Sequence, residues 1–314
     1  MGFWSHETRS RAPSMSTRII TTSHGTNRDA FNAGDWGLFL ALGGIWGASF
    51  LFIAIGLDAF HPGLVTFLRV GFGALTVALV PKARQTKIPR SDYRRVGVLG
   101  FIWVALPMTL FPIAQQWIDS AVAGMLNGAT PIFTAVIAAI LLRHLPRVVQ
   151  ISGLIVGLLG MLAIALPSVN TDSTAAIGVA LVVLATVCYA FSLNIVAPLQ
   201  QAHGALPVIA RALWIAAIMV APYGIYGLTQ SDFAWPSLLA TLAVGIFGTG
   251  LAFVMMGTLT GRVGATRSSF ITYLIPVVAL ALGVMFRDEI VAPIAVAGVA
   301  MVIVGAILAS RKET

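Results

Sequence analysis

The amino-acid sequence predicts an all-α polytopic membrane protein in which ten transmembrane helices form two inverted five-helix repeats, with both termini in the cytoplasm. The first observation is composition. Of the residues, 58% are hydrophobic and 10% are charged, whereas soluble domains carry roughly 25% charged residues. The second observation is a row of ten apolar segments, and the third is a stretch of the chain that occurs twice.

Ten segments approach or meet the length of about 20 mostly apolar residues that a spanning helix requires. Their backbones are expected to be helical, because lipid offers no hydrogen-bond partner to an open strand or loop. The predicted segments are Trp36–Leu57, Leu64–Val80, Val96–Ala114, Ala121–Leu142, Val148–Leu166, Ala175–Ala197, Leu206–Leu228, Ser237–Leu259, Ala265–Phe286 and Val291–Ala309.

The stretch from Ser120 to Leu166 recurs from Ala265 onward at a constant shift of 145 positions. Each copy predicts a helix with a proline in its middle, a short polar turn, and a second helix with glycines on one face. The coinciding residues are Pro131 and Pro276, Gly153 and Gly298, and Gly160 and Gly305, and His144 falls on Glu289.

The loop charges predict the orientation. Basic residues of the N-terminal tail, of the loop from Lys82 to Arg95, and of every second loop thereafter share one side, whereas Arg287 is the one basic residue of the loops on the other side. Basic loops stay in the cytoplasm. The formal net charge of +8 is therefore interpreted as membrane topology rather than as nucleic-acid binding. Because five helices are an odd number, the second repeat enters from the opposite side.

The predicted organisation has four parts. A disordered cytoplasmic tail covers residues 1–35, the first repeat covers 36–167, the second covers 175–309, and a short cytoplasmic tail covers 310–314. A single cysteine, Cys188, excludes a disulfide within the chain and a cysteine zinc cluster. No cofactor is predicted, and the expected partners are membrane lipid and a small-molecule substrate.

The sequence resembles the drug/metabolite transporter superfamily, specifically its ten-helix EamA-type members, over about residues 36–310. The resemblance rests on Trp46-Gly47 in the first helix, Arg69 in the second, and the paired prolines and glycines. It implies a carrier in the bacterial inner membrane that exports amino acids, nucleosides or other small metabolites. The family usually has an acidic residue at the ends of the fourth and ninth helices. This chain has Glu289 in the second copy and His144 in the first.

Arg69 and Arg211 are the charged residues well inside predicted spans. An arginine in a membrane costs about 2.5–3.5 kcal/mol on insertion scales, so it normally has a partner or a wet cavity. Two interpretations stay open. Each arginine contacts a substrate carboxylate or a gate partner, or each extends to its near interface and bonds helix-end carbonyls.

Polar and aromatic residues near the proline bends are candidates for lining a substrate cavity, because a mid-helix proline frees backbone carbonyls. Aromatic walls with a few hydrogen-bonding groups suit a small organic ligand. The candidates at the bends are Asn127, Thr130, Pro131, Thr272, Tyr273 and Pro276, and the candidates deep in the first and sixth predicted helices are Trp46, Tyr189 and Asn194. The alternative interpretation is that the bends shape only packing.

The function predicted first is a metabolite exporter or exchanger, with amino acids among its substrates, that works by alternating access. Efflux of drug-like or nucleoside compounds is the alternative. A membrane-embedded enzyme, a channel or a non-transporting sensor is less favoured, because no paired catalytic groups or continuous polar stripe occurs in the spans. The spans also hold no central carboxylate, which favours exchange over proton coupling. Both a monomer and a homodimer fit the sequence.

Overall fold

The computed structural model describes residues 32–85, 88–142, 148–171, 173–263 and 269–309. Residues 1–31, His144 and the C-terminal tail lie outside these ranges. All of the regular secondary structure in the described ranges is helical. The helix α1 begins at Ala33, because the Asn32 side chain accepts from the Asp35 amide at 2.9 Å and Asp35 accepts from the Asn32 amide at 3.3 Å. Because of this capping box, residues 33–35, which were predicted to belong to the tail, are the first three residues of α1.

The first half of the chain contains eight α-helices within the described residues. A 3₁₀ turn at Arg90–Asp92 precedes α4, and a π-helix, in which backbone bonds span five residues, lies at Gly100–Ala105 between α4 and α5. The α-helices are α1 (Ala33–Leu57), α2 (Pro62–Ala78), α3 (Pro81–Gln85), α4 (Tyr93–Leu99), α5 (Leu106–Ala114), α6 (Ser120–Asn127), α7 (Thr130–Leu142) and α8 (Val148–Thr171).

The second half contains six α-helices within the described residues. Its π-helix lies at Val244–Leu251 between α11 and α12, and a 3₁₀ helix at Ser269–Tyr273 precedes α13. The α-helices are α9 (Ser173–His203), α10 (Ala205–Leu228), α11 (Trp235–Ala243), α12 (Ala252–Val263), α13 (Leu274–Arg287) and α14 (Pro293–Ala309).

Within the described ranges, seven helical stretches have the length and composition needed to cross a membrane, and three shorter apolar helices accompany them. The shorter three are Pro62–Ala78, Ile271–Arg287 and Pro293–Leu308. These stretches indicate a multi-pass membrane protein. Many large apolar side chains, such as Ile218 and Met285, point outward, as expected for a surface that faces lipid.

The prediction that Pro131 and Pro276 lie in the middle of bent helices is wrong in detail. The span is interrupted at Gly128 and Ala129, and Pro131 is the second residue of α7. Pro276 is the third residue of α13, which follows the 3₁₀ helix. A proline lacks the N–H that continues a helix but is tolerated in the first turn, so each helix restarts at its proline instead of bending there.

Glycines bring α8 and α14 into backbone contact, and these two helices form the most extensive helix pair of the described chain. A Cβ at Gly160 would lie 2.7 Å from the Gly298 carbonyl oxygen and 2.8 Å from the Met301 Cβ. A Cβ at Gly298 would lie 2.6 Å from the Gly160 carbonyl oxygen. These glycines therefore have a packing role, since small residues permit close approach in lipid.

We expect Gly160→Ala to lower the thermal unfolding midpoint in detergent, because the added methyl overpacks the α8–α14 contact at a cost of about 1–3 kcal/mol. Gly44→Ala is the matched control in α1, since a Cβ there would meet nothing within 4 Å. The control should be neutral or stabilising, because alanine favours helix. Equal midpoints for both variants would contradict the packing role.

Candidate functional site

Arg69 lies near the middle of α2, about 10 Å along the axis from the first residue of the helix and somewhat farther from the last. α2 packs along α10 and the second π-helix, and only 6% of the Arg69 surface is exposed. The side chain is therefore enclosed by protein, which favours the interpretation that Arg69 contacts a partner inside the molecule.

Thr249 of the second π-helix holds the Arg69 side chain. The Arg69 Nε donates to Thr249 Oγ1 at 3.1 Å. The Thr249 hydroxyl in turn donates to the Val244 carbonyl, five residues earlier, at 3.2 Å. The π-turn thus supplies a buried hydroxyl that accepts from the guanidinium while its own proton is used by the backbone.

The rest of the guanidinium has no partner within the described part of the chain. The bond to Thr249 is the hydrogen bond that Arg69 makes there, and no described carboxylate pairs with Arg69. An arginine has five N–H donors, of which four are on the two terminal nitrogens. A buried cation with free donors is a recognition group for a planar anion such as a carboxylate.

Aromatic side chains stand beside Arg69. Tyr189 of α9 lies close enough to Arg69 for an electrostatic interaction. Its ring stacks on Phe111 of α5, with centroids 5.9 Å apart and an interplanar angle of 27°. Phe111 meets Phe50 of α1 edge to face at 5.3 Å. These three rings form an aromatic wall from both halves of the chain, and Tyr189 is its member beside Arg69.

Trp46 joins this wall through the same π-helix. Its Nε1 donates to the Gly248 carbonyl at 3.1 Å, next to the threonine that holds Arg69. Trp46, Tyr189 and Tyr273 all pack against the largest apolar cluster of the protein. The predicted candidates Trp46, Arg69 and Tyr189 are thus brought together, with Tyr273 on the same cluster.

At the first proline break, a candidate side chain bonds a backbone carbonyl that the proline leaves without a donor. Pro131 cannot donate to the Asn127 carbonyl, and the Thr130 hydroxyl donates to that carbonyl instead, at 2.7 Å. Asn127 and Thr130 are buried. Gly128 packs against the Pro276 ring, so the two breaks meet. Thr272 lies in the 3₁₀ helix before α13, and Asn194 lies on α9 with a side chain outside the described part of the structure.

Arg211 does not join the site. Its Nη1 donates to the Pro207 carbonyl at 3.0 Å and to the Ala83 carbonyl at 3.4 Å. The shift that places Pro131 on Pro276 also places Pro62 on Pro207, and therefore Thr66 on Arg211. Thr66 makes the corresponding bond to the Pro62 carbonyl at 2.9 Å. The carbonyl-bonding interpretation applies to Arg211, and the two arginines are not equivalent positions of the repeats.

Thr249 and Phe111 are site residues that the sequence analysis did not select. Thr249 lies in a Gly-Thr-Gly run, which was interpreted only as helix packing. The available signal was that a hydroxyl between two glycines is accessible to a neighbouring helix. Phe111 gave no signal, because its partner Tyr189 is distant in the sequence.

Two cavities are formed by the described residues, and Arg69, Trp46 and Tyr189 line neither of them. An apolar groove of about 380 Å³ runs along α1 beside the second π-helix and is bordered by Ser49, Phe52 and Gly248. A more polar cavity of about 500 Å³ lies at the end of α1, where Asp58, Gln115 and Arg287 line it. Both cavities are formed between the two halves of the chain.

Comparisons with known proteins agree with this architecture. A probable terminal-alkyne amino-acid exporter of Streptantibioticus cattleyicolor is 24% identical over 285 residues, which cover 88% of this chain and 93% of that protein. A probable amino-acid metabolite efflux pump of Escherichia coli is 24% identical over 276 residues, covering 83% and 89% respectively. A solved crystal structure shares the fold with a TM-score of 0.61 at 17% identity, covering 89% of this chain and 97% of that one.

The family comparison extends over nearly the whole of the described chain. The model of the EamA-like transporter family matches residues 35–166 and again residues 176–311. The resemblance inferred from Trp46, Arg69 and the paired prolines is confirmed, and the family and the relatives indicate a transporter rather than an enzyme. The chain belongs to the EamA-like transporter family.

Proposed function

We propose that this protein exports amino acids or closely related carboxylate metabolites by alternating access, and that Arg69 binds the substrate carboxylate. The observation that carries the proposal is the buried guanidinium, which Thr249 holds by its Nε while its terminal nitrogens have no partner within the described residues. A carboxylate can accept two parallel hydrogen bonds from such a group.

The energetics favour this role. A permanently charged guanidinium in an apolar interior is costly unless it is paired. A substrate carboxylate that supplies the missing partner therefore gains a charge-assisted bond that water screens little. The printed names of the two relatives described above, an amino-acid exporter and an amino-acid metabolite efflux pump, support the same substrate class.

The aromatic wall supplies the second half of the recognition. Trp46, Tyr189 and Phe111 offer apolar faces to the part of the substrate that carries no charge. This wall also favours the alternative, efflux of a drug-like or nucleoside compound, because flat rings stack on such faces. The two functions differ in whether transport depends on the Arg69 charge.

The proposal includes a membrane topology of ten spans in two inverted repeats. The seven long and three shorter apolar helices of the described chain support ten spans in the bacterial inner membrane, and the two separate family matches support two repeats at 36–167 and 175–309. Five spans in each repeat invert the second repeat and leave both termini in the cytoplasm. Asn127, Thr130, Pro131, Asn194, Thr272, Tyr273 and Pro276 remain proposed substrate-contacting residues, and Arg211 is reassigned to a structural role.

We expect Arg69→Gln to reduce amino-acid counterflow in proteoliposomes by roughly thirtyfold or more, since removing one partner of a buried charge pair costs 2 kcal/mol or more. Arg211→Gln is the matched control and should transport within a few-fold of the parent protein. Both variants are compared at equal folded amounts by size-exclusion chromatography. Loss of transport in the Arg211 variant alone would contradict the assignment.

Substrate analogues test the chemistry of the same site. The parent protein should exchange an amino acid far better than its methyl ester, and Arg69→Gln should lose this preference, because the ester cannot form a charge-assisted bidentate pair. An unchanged preference in the variant would favour drug-like or nucleoside efflux instead.

Thr249→Val should lower the thermal unfolding midpoint, because it leaves the Arg69 Nε donor buried and unbonded at a cost of about 1–3 kcal/mol. The control is Thr258→Val in α12, where the hydroxyl is exposed and bonds only the Val254 carbonyl at 2.9 Å. An equal fall of the unfolding midpoint in both variants would show that the stability provided by Thr249 does not come from its bond to Arg69.

The ten-span topology is tested with reporter fusions. A fluorescent reporter that matures only in the cytoplasm should be active when it follows Arg95 or Thr314. A phosphatase that is active only outside should be active when it follows Asp232. A reversed result at Thr314 would require an odd number of spans.

A further inference from the structure

Glu289 is placed by an unusual helix end. α13 ends at Arg287, and Asp288 adopts the left-handed conformation with φ of 51°. The amides of Asp288 and Glu289 both donate to the Gly283 carbonyl, the second at 3.3 Å. This turn reverses the chain and directs the Glu289 side chain back across α13 toward the other half of the protein.

The Glu289 carboxylate binds the first turn of α6. Its Oε1 accepts from the Ser120 amide at 3.0 Å and from the Ser120 hydroxyl at 2.6 Å, and its Oε2 accepts from the Ala121 amide at 2.8 Å. Asp119, the residue that precedes α6, makes no capping bond with its own side chain. A carboxylate from 169 positions away thus takes the place of the local cap.

The surrounding chain is shaped to accept this carboxylate. A Cβ at Gly283 would overlap the Glu289 Oε2 and lie 2.9 Å from the Ala121 Cβ. Partial desolvation and the neighbouring Glu289 charge raise the pKa of Asp119. The guanidinium of Arg287 forms two bonds to Asp58, of 2.7 and 2.9 Å, and so ties the ends of α13 and α1 together.

The two helices joined by Glu289 are the segments that the proline breaks separate from their neighbours. α6 is eight residues long and ends at the Gly128–Ala129 interruption. α13 restarts beside Pro276, which packs against Gly128. Glu289 therefore joins the N-terminus of α6 to the C-terminal end of α13, and the opposite ends of these two helices meet at Gly128 and Pro276. This arrangement permits the joined ends to separate while Gly128 and Pro276 stay in contact.

We propose that Glu289 is the gate residue at this face of the carrier, which the proposed topology places outside. In the closed state its carboxylate binds the N-terminus of α6, and opening exchanges these three bonds for bonds to water. Because the contact lies at the end of both helices, water can replace it at modest cost, which suits a bond that forms and breaks in every cycle. This inference rests on alternating access but not on the identity of the substrate.

The proposal is tested by measuring, in the absence of substrate, the rate at which a thiol reagent labels a cysteine at a buried position. In a Cys188→Ser background, Met125→Cys places a thiol one turn behind the capped end of α6, at a position that is fully buried. A charged, water-soluble thiol reagent, added to the purified protein in detergent so that both faces are accessible, should react slowly with this protein. Adding Glu289→Gln should raise the labelling rate by roughly tenfold, because the weaker cap shifts the population toward the open state.

Two controls separate a gate from a damaged fold. Asp232→Asn removes a carboxylate from the same face that makes no side-chain bond with any described residue, and it should leave Met125→Cys labelling unchanged. Leu259→Cys, fully buried in α12, reports general loosening and should label no faster with Glu289→Gln. An unchanged rate at Met125→Cys, or equal increases at both thiols, would overturn the proposal. Absence of transport for every tested amino acid would challenge the proposed function and leave this result standing.

Discussion

The burial of one permanent charge is the constraint on which the site depends. Arg69 lies in the middle of α2 and is 6% exposed, and a cation without partners is expensive in such an interior. The second π-helix meets this constraint in part, because its widened turn presents the Thr249 hydroxyl to the guanidinium and the Gly248 carbonyl to Trp46. What remains unpaired is a set of N–H donors beside an aromatic wall. These donors are the part of Arg69 to which we propose that the substrate carboxylate binds.

The repeats share their backbone features but not their chemistry. Both halves carry a proline at the start of the second span, a π-helix in the third and a proline at the restarted helix, and glycines hold α8 against α14. At the position equivalent to Arg69 the second half has Trp214, which is 42% exposed. The two halves therefore share a backbone framework but carry different side chains at the position of Arg69.

Much of the framework could be predicted from sequence, because helix length, apolar composition, proline and glycine each have a direct local consequence. The prolines marked the right places, but their effect depended on Gly128 and on the Thr130 hydroxyl, which together favour an interruption over a bend. The π-helices have no compositional signature, so the bond from Arg69 to Thr249 could not be predicted from the Gly-Thr-Gly run alone. Arg69 and Arg211 looked alike in sequence, and only their contacts separate a cation that is free to bind from one that supports backbone carbonyls.

The most direct test of this account is an experimental structure of the protein with a transported amino acid bound. The account predicts the substrate carboxylate within about 2.7–2.9 Å of the terminal nitrogens of Arg69, with the apolar part of the substrate against Trp46 and Tyr189. A substrate that binds with its carboxylate away from Arg69, or with its amino group toward it, would contradict the central claim.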